Sequence, residues 1–215
     1  MKLLSINVSQ PKAVAINGRS YQTGIYKKHR MGRVLLSRLG LDGDGQADRK
    51  NHGGPHQAVY CYPQEHYGYW ASQLARTDFH YGAFGENLTL LGLLETTVCI
   101  GDVFRIGDAV IQVSQPRVPC YKLADKLGVP GFEKTFLHAN RCGFYARVLE
   151  EGVLEAGDPI QRLEKDPVGM TVAEVNAARY LDKGDREAVQ RASQIEALSP
   201  EWRRSFEEML AAAEA

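Results

Sequence analysis

Short apolar segments rich in β-branched and aromatic residues recur through the first 165 residues, and they constrain the fold more than any other feature. Gly, Asp or Pro bounds each segment, which is the pattern of strands separated by turns. Helical segments are few between them, so the rhythm predicts a barrel or sandwich and disfavours alternating parallel strands and helices. The predicted strands are 3–8, 34–39, 58–62, 96–100, 103–106, 109–113, 143–149 and 159–163, with helices at 63–74, 123–127 and 131–140.

The pattern changes after residue 166 from strands to helices. Thr171 and Glu174 have the spacing of a capping box that opens a helix, and Ser199 followed by Pro200 is a second start signal. We therefore predict a mainly β fold with α-helices, in which a β-barrel domain (1–166) precedes a small three-helix domain (167–215). So small a helical unit buries little apolar surface alone, and it is expected to dock on the barrel or on a second subunit. The three helices are predicted at 171–181, 186–198 and 200–213.

Composition and charge are typical of a soluble globular protein. Lys and Arg total 26 and so do Asp and Glu, so neither nucleic acid nor an anionic membrane is an expected partner, and any anion must be bound by local groups. The apolar stretch at the N-terminus is too short for a signal peptide or a membrane span, which favours a cytoplasmic location. The four cysteines include no CxxC pair and are expected to be reduced.

The segment 114–123 places one cysteine in an unusual setting. Its two prolines fix the backbone and remove two N–H donors, so the preceding strand is expected to end at Ser114 and the chain to run extended toward Cys120. Arg117 and Lys122 flank the thiol, and nearby positive charge favours the thiolate that attacks electrophiles or binds soft metals. The alternative is that Cys120 is a small buried hydrophobe, as most free cysteines are. This segment alone leaves the two interpretations about equal.

Glycine and aspartate crowd the segment 39–58, which excludes a regular element there. The pair Gly53 and Gly54 exposes backbone N–H groups without side-chain obstruction, a setting that suits a phosphate or an oxyanion. Arg49 adds positive charge beside them. The alternative is a long solvated hairpin loop, although compact domains seldom keep such loops without a function.

A zinc site built from Asp48, His52 and His56 is a weaker interpretation of the same loop. Such a site needs three or four ligands in a fixed geometry, and these histidines do not share a helix face. Two shorter segments add polar groups of their own. Residues 23–28 offer a hydroxyl and cations, and the turn at 84–88 contributes the amide of Asn87; each is also explained as an ordinary surface turn.

Together these segments resemble the MOSC family, which is related to the C-terminal part of molybdenum cofactor sulfurases, and more closely its bacterial YiiM-like branch. The resemblance covers nearly the whole chain, and the order and spacing of the motifs make it specific. One departure is His56, where the family usually has an acidic residue after His-Gly-Gly-Pro. The motifs are 23–27, 40–48, 52–55, 58–62, 65–67 with Trp70, 85–88, 101–102 and 114–122.

The resemblance implies a β-barrel that binds the molybdenum cofactor in its molybdopterin form and reduces N-hydroxylated small molecules, base analogues among them. Cys120 is then the metal ligand, with His52 and Asp48 as catalytic or proton-relay residues. The sequence has no flavin motif or iron–sulfur cysteine set, so electrons are expected from an external electron-transfer protein. By matched position, the cofactor-binding residues are Lys27, Arg49, Gly53, Gly54, Asn87, Arg117 and Lys122.

Two other functions remain open from the sequence. Cys120 could carry a persulfide supplied by a cysteine desulfurase, making the protein a sulfur carrier without a stable metal. Alternatively, the barrel could hold the cofactor for delivery while the helices contact a client enzyme. A homodimer is a further expectation. The aromatic residues at 60–70 are more typical of a core than of a stacking wall for a planar substrate.

Overall fold

The computed structural model describes residues 1–16, 18–47 and 53–213. Its strands are β1 (Lys2–Val8), β2 (Lys12–Ile16), β3 (Arg19–Thr23), β4 (Lys28–His29), β5 (Val34–Ser37), β6 (Gly40–Leu41), β7 (Val59–Pro63), β8 (Leu88–Leu91), β9 (Val103–Ile106), β10 (Ala109–Pro116), β11 (Phe144–Glu150), β12 (Gly152–Leu154) and β13 (Ile160–Glu164). Its helices are α1 (Glu65–Gln73), α2 (Tyr121–Leu127), α3 (Phe132–His138), α4 (Val172–Tyr180), α5 (Arg186–Ser193) and α6 (Pro200–Ala212), and a 3₁₀ turn covers Pro55–Gln57.

The main sheet runs in the order β13, β9, β10, β11, β7, β8, β1, with the short β4 continuing from β1. Its two ends meet through backbone hydrogen bonds. The Leu3 N–H donates to the Asp158 carbonyl at 2.9 Å, and the Ile160 N–H donates to the Met1 carbonyl at 3.1 Å. These bonds join β1 to the start of β13, so the sheet curls into the predicted β-barrel. Among the strand pairs of the described residues, β7–β8 alone is parallel.

Apolar side chains that alternate along the strands fill the barrel, among them the fully buried Ile6, Phe104 and Phe144. A second cluster, largely aromatic, lies between β7, α1 and α3, and Trp70 and Phe136 are at its centre. Burial of this apolar surface is the main favourable contribution to folding. Most of the aromatic residues at 60–70 are therefore core residues, as the sequence indicated.

The three C-terminal helices dock on the barrel. The predicted capping box is present: the Glu174 N–H donates to the Thr171 hydroxyl at 3.2 Å, and the Thr171 N–H donates to the Glu174 carboxylate at 2.7 Å. The buried faces of the helices belong to the same continuous core as the strands. The domain boundary at residue 166 and the homodimer stay predictions. The buried residues that the helices and their connections contribute are Val172, Val175, Ala178, Val189, Ala192, Ile195, Ala197, Leu198, Trp202 and Phe206.

The prediction that the strand leading to Cys120 ends at Ser114 was wrong. β10 continues to Pro116, which pairs with Phe144 across β11. A register shift between Val113 and Gln115 marks a bulge, and Pro116 follows it as the last residue of the strand, where a missing N–H costs the ladder little. Proline keeps its carbonyl as an acceptor, so the ladder extends two residues closer to the thiol.

Two other predicted elements were also wrong. Residues 96–100 form turns and a single bridge, because the Asp102 carboxylate accepts the Cys99 N–H at 3.1 Å and competes with strand pairing. Helix α5 ends at Ser193 and does not continue to residue 198. The buried Ile195 and Leu198 lie in the turns that follow, and their spacing is the same as that of apolar residues on one face of a helix. Within the described ranges, no helix combines the length and apolar character needed to cross a bilayer.

Candidate functional site

A pocket with a volume of about 120 Å³ opens where the segment after β3 meets the end of β10 and the start of α2. This is several times the space that one ordered water needs, so a small organic ligand can enter. Gly54 is not among the lining residues, and the Gly53 N–H already donates to the Gln57 side chain at 3.1 Å. Asp48, Arg49 and His52 lie outside the described residues. The pocket gathers six of the predicted residues: Lys27, Gly53, Asn87, Arg117, Cys120 and Lys122.

Cys120 sits at the junction between the proline-containing segment and helix α2. Its backbone is extended (φ −123°, ψ 169°), it occupies the N-cap position, and its carbonyl accepts the Leu123 N–H at 2.9 Å. The side chain is part-exposed and lines the pocket, whereas the other three cysteines are buried. Burial raises the pKa of Cys61 and Cys142 and keeps them protonated. Among the four thiols, Cys120 is therefore the one placed to react or to bind a metal.

Arg117 is a buried cation at the same wall of the pocket. Its side chain is 5% exposed, and the guanidinium carbon lies 5.2 Å from the centre of the Tyr60 ring and 5.6 Å from that of Phe136. Burial disfavours the charge, but the electrostatic influence of Tyr60 and Tyr145 outweighs it and raises the Arg117 pKa. Nη1 is buried and has no hydrogen-bond partner among the described residues. Leaving a buried donor unpaired costs about 1–3 kcal/mol. An anionic ligand bound here would accept a hydrogen bond from this nitrogen and remove that cost.

Lys27 and Asp44 form a buried ion pair on the opposite wall. The ammonium lies 2.5 Å and 2.6 Å from the two carboxylate oxygens, and burial lowers the Lys27 pKa against the opposing effect of Asp44. Asn87 is committed to the same network: its Nδ2 donates to Asp44 at 2.9 Å and its Oδ1 accepts the Tyr60 N–H at 3.1 Å. Asn87 therefore has a positioning role besides its predicted cofactor contact. Its side-chain amide fixes the Asp44 carboxylate and the backbone of Tyr60 in β7.

A buried carboxylate braces the turn at 84–88. Glu86 is fully buried and accepts hydrogen bonds from the Gly82 N–H at 2.7 Å, the Phe84 N–H at 3.1 Å and the Thr89 hydroxyl at 2.9 Å, as well as from the Tyr67 hydroxyl. The preceding Gly85 has φ 84°, and a Cβ there would lie 2.7 Å from Ile25 Cγ1. The turn can therefore close against the pocket only with glycine at this position.

Helix α2 is fastened to the opposite wall by polar side chains. The sequence interpretation named Lys122 among them as a cofactor contact but missed Tyr21, Asp125 and Lys126. The spacing of positions 122 and 126 on one helix face is the signal that could have indicated them. Because α2 begins at the cysteine, these contacts also fix where the thiol lies. The contacts are Lys122 Nζ to the Gln22 carbonyl (3.3 Å), the Tyr21 hydroxyl to Asp125 Oδ2 (2.8 Å), and Lys126 Nζ to the carbonyls of Ile25 (2.9 Å) and Gly82 (2.6 Å).

We expect Lys126→Met to remove a pH-dependent part of the stability. Burial lowers the pKa of Lys126 from 10.5 to about 8, with Glu86 opposing the shift. Between these pH values the unfolded chain holds a proton that the folded chain has released, so the free energy of unfolding of the wild type rises with pH. The difference between wild type and variant should grow by about 1–3 kcal/mol over this range. Urea unfolding from pH 7 to pH 10 measures it.

The exposed Lys134→Met on α3 is the control for this experiment, because its ammonium is solvated in both states. Its stability difference from the wild type should stay constant across the same pH range. Parallel curves for Lys126→Met and the wild type would contradict the expectation.

His56 does not line the pocket but lies behind its wall. Burial lowers the pKa of His56, and Arg147 lowers it further, so the imidazole stays neutral to a lower pH than that of a solvated histidine. Its Nδ1 and the Arg147 Nε are both buried without hydrogen-bond partners among the described residues. A carboxylate at position 56 would be attracted to this arginine. The departure from the acidic residue therefore leaves a cation without its counter-ion.

Protein side chains alone do not assemble a metal centre in the part of the chain that the structure describes. No three His, Cys, Asp or Glu residues there are grouped closely enough to hold an ion. The zinc interpretation rests mainly on Asp48 and His52, outside the described residues. In the pocket, the thiol of Cys120 is the soft donor.

The fold and this pocket define a β-barrel module with a thiol beside buried cations, followed by three helices. The MOSC domain matches residues 48–161, and the YiiM-like, 3-alpha helix domain matches residues 170–213. The chain therefore belongs to the MOSC family, in its YiiM-like branch, which confirms the resemblance and the fold class predicted from the sequence.

Three relatives support this assignment. The protein YflK of Bacillus subtilis (strain 168) is 45% identical over 204 residues, which cover 95% of this chain and 92% of YflK. The crystal structure of YiiM from Geobacillus stearothermophilus has a TM-score of 0.83 at 38% identity and covers 97% of this chain and 98% of that one. A protein of Gibberella moniliformis (strain M3125 / FGSC 7600) named "Reductase" is 36% identical over 166 residues, which are 76% of this chain and 29% of that protein.

Proposed function

We propose that this protein is a molybdenum-cofactor-dependent reductase that converts N-hydroxylated small molecules to the corresponding amines. The observation that carries the proposal is the sharing of one pocket by a part-exposed thiol, Cys120, and the buried cation Arg117. A soft thiolate suits a molybdenum centre, and buried cations suit the phosphate of a pterin.

The residues of the pocket fit this group. Arg117 presents a buried nitrogen without a partner among the described residues, which a phosphate or another oxyanion would satisfy. Cys120 would hold the metal and Lys122 would add positive charge, whereas the charge of Lys27 is already paired with Asp44. When bound, the cofactor supplies two-electron oxygen-atom chemistry. The protein's own groups orient the ligand, exclude water and maintain the electrostatic field around it.

The overall conversion consumes two electrons and two protons. The N–O bond of the substrate breaks, the nitrogen becomes an amine, and the oxygen leaves as water. The chain has no flavin or iron–sulfur motif in its sequence, so both electrons come from a partner protein. The fungal relative supports this division of labour, since the region similar to this chain is 29% of a longer protein named "Reductase". Asp48 and His52 stay the proposed proton donors.

Metal and pterin analysis of the purified protein tests the proposal. Produced anaerobically in cells that make the cofactor, the protein should carry up to one molybdenum and one pterin per chain, and it should reduce a model N-hydroxylated base with reduced methyl viologen as the electron source. Inductively coupled plasma mass spectrometry and the fluorescence of oxidised pterin give the two contents.

The alternative functions predict different results in the same experiment. A cofactor carrier would contain molybdenum and pterin but would not turn over substrate with the chemical reductant. A sulfur carrier would contain neither and would show a persulfide mass of about 32 Da on the peptide that contains Cys120. Either outcome would contradict the reductase proposal.

A further inference from the structure

The chain has no net charge, but its positive and negative residues are distributed unevenly along the sequence. The first 41 residues contain eight Lys and Arg and no Asp or Glu. Residues 42–215 hold the other 18 Lys and Arg against all 26 Asp and Glu, a net charge of −8. A positive N-terminal region is therefore joined to a negative body, and the location of the positive charges decides what they attract.

Four of these eight cations, together with Lys122, lie on or beside the segments that line the pocket. We name Lys12, Arg19, Lys28, Arg30 and Lys122 the basic rim; all are exposed except the part-exposed Lys122.

Three members of the basic rim are placed next to the pocket by strand pairing or by chain position. Lys12 pairs across the β2–β3 hairpin with Thr23, a pocket residue. Lys28 directly follows the pocket residue Lys27, and Lys122 is itself in the pocket lining. The rim therefore adjoins the pocket on the side of β2, β3 and the start of α2.

The remaining two members of the basic rim are held by the fold nearby. The guanidinium carbon of Arg19 lies 5.8 Å from the ring centre of Tyr121, the residue after Cys120. The Arg30 N–H donates to the Ile6 carbonyl at 2.8 Å, which fixes the segment after β4 against the barrel. The next residue, Met31, is 82% exposed and offers an apolar contact among the charges.

The charges of the basic rim are not neutralised within the described chain. None of its five members has a carboxylate within ion-pair distance among the described residues, whereas the neighbouring Lys27 pairs with Asp44 and Arg33 with Asp108. Unpaired surface cations around a reaction site act mainly by steering a negatively charged partner to it.

We propose that the basic rim is the docking surface for a small acidic electron-carrier protein, with a flavin or iron–sulfur cofactor, that delivers electrons to the pocket. The inference rests on the proposed reductase function, because that function requires an external donor to approach the pocket. Electron-transfer encounters use small interfaces and electrostatic steering, which a group of exposed cations beside the pocket, with one exposed apolar residue, suits.

The charge distribution favours an acidic protein over a nucleic acid. A duplex extends far beyond a rim of this size and would meet the negative body of the chain, where repulsion opposes binding. An acidic carrier protein can confine its negative charge to one face that matches the rim. The rim also adjoins the pocket, where a donor has to bring its cofactor, and a nucleic acid has no such requirement.

Binding of two purified acidic carriers, a flavodoxin and a [2Fe–2S] ferredoxin, tests the docking surface. Their affinity for the full-length protein is measured by isothermal titration calorimetry at about 20 mM and about 300 mM NaCl, a range over which screening strengthens. We expect at least one carrier to bind, at least tenfold more weakly at the higher salt. The double variant Lys28→Glu/Arg30→Glu should bind it at least tenfold more weakly than the wild type at low salt.

The matched control reverses two exposed cations on the helical tail, Lys183→Glu/Arg204→Glu, which changes the net charge by the same amount. Its affinity for the carrier should stay within about twofold of the wild type. Equal weakening by both double variants would mean that only net charge matters and would overturn the docking surface. Absence of rim-dependent binding by either carrier would also overturn it, as would tighter rim-dependent binding of a 30-base-pair DNA duplex.

Turnover with reduced methyl viologen separates this inference from the proposed function, since the small reductant needs no protein dock. The variant Lys28→Glu/Arg30→Glu should keep wild-type turnover with the dye and lose at least tenfold in turnover with the carrier. A wild-type protein without activity toward the dye would contradict the reductase proposal, while the calorimetry would still judge the surface. Equal loss with dye and carrier would overturn the docking role.

Discussion

Replacing Cys120 with serine should abolish molybdenum binding and lower N-hydroxylamine reduction by at least about a thousandfold. Serine keeps the approximate size of the side chain but exchanges a soft thiolate for a hydroxyl of high pKa, so neither a molybdenum–sulfur bond nor a persulfide can form. The backbone at this N-cap position is extended, and serine is favoured there, so the fold should be retained. Metal content and turnover with reduced methyl viologen measure the effect.

Cys99→Ser is the matched control for this substitution. Cys99 is 3% exposed, and it lies in the turns that precede β9, away from the pocket lining. Burying a hydroxyl there should cost about 1–3 kcal/mol of stability while metal content and turnover remain those of the wild type. Near-wild-type molybdenum and turnover in Cys120→Ser would show that the thiol is neither ligand nor sulfur carrier.

Deleting the chain from Thr171 onward should cause aggregation of the remaining barrel. The helices bury Trp202 and Phe206 almost completely, and their apolar residues share one core with the strands. Exposing the barrel side of that core removes several contributions of about 1.5–3 kcal/mol each, which together approach the whole stability of an ordinary domain. Size-exclusion chromatography and thermal unfolding of the truncated protein test this expectation.

A point substitution on the same interface avoids the ambiguity of a chain that fails to fold. Trp202→Ala should lower the free energy of unfolding by about 3–5 kcal/mol, whereas the exposed Arg204→Ala on the same helix should change it by less than about 0.5 kcal/mol.

Any soluble truncated barrel should still bind cofactor, because the described pocket contains no residue of α4–α6. A monodisperse truncated protein as heat-stable as the full chain would contradict the shared core.

Local sequence patterns predicted most of the secondary structure for reasons that act over a few residues. The capping box at Thr171 forms as expected, since its two hydrogen bonds join residues three positions apart. Two of the errors occurred where a side chain or a bulge competed with the pattern, and strands β2, β3, β4, β6, β8 and β12 were not predicted. The Asp102 carboxylate accepts an N–H of the expected strand at 96–100, and the ladder of β10 continues beyond a register shift to Pro116, its last residue.

The candidate site was likewise predicted from the sequence only in part. The prolines and cations around Cys120 pointed to the thiol because they are its neighbours in the chain. The sequence alone could not reveal that Arg117 has an unpartnered nitrogen, nor that Asn87 is occupied with Asp44, because both facts depend on atoms brought together from distant strands.

The sequence by itself determined the mainly β character, the helical tail and the residue types available for binding an anion and a soft metal. Only the tertiary structure decided that Lys27 is neutralised by Asp44 while the basic rim keeps its charge. It also decided that the tail completes the barrel core. The physical reason is range: propensity, capping and chain geometry act between near neighbours, whereas burial and charge pairing depend on which distant residues the closed barrel brings into contact.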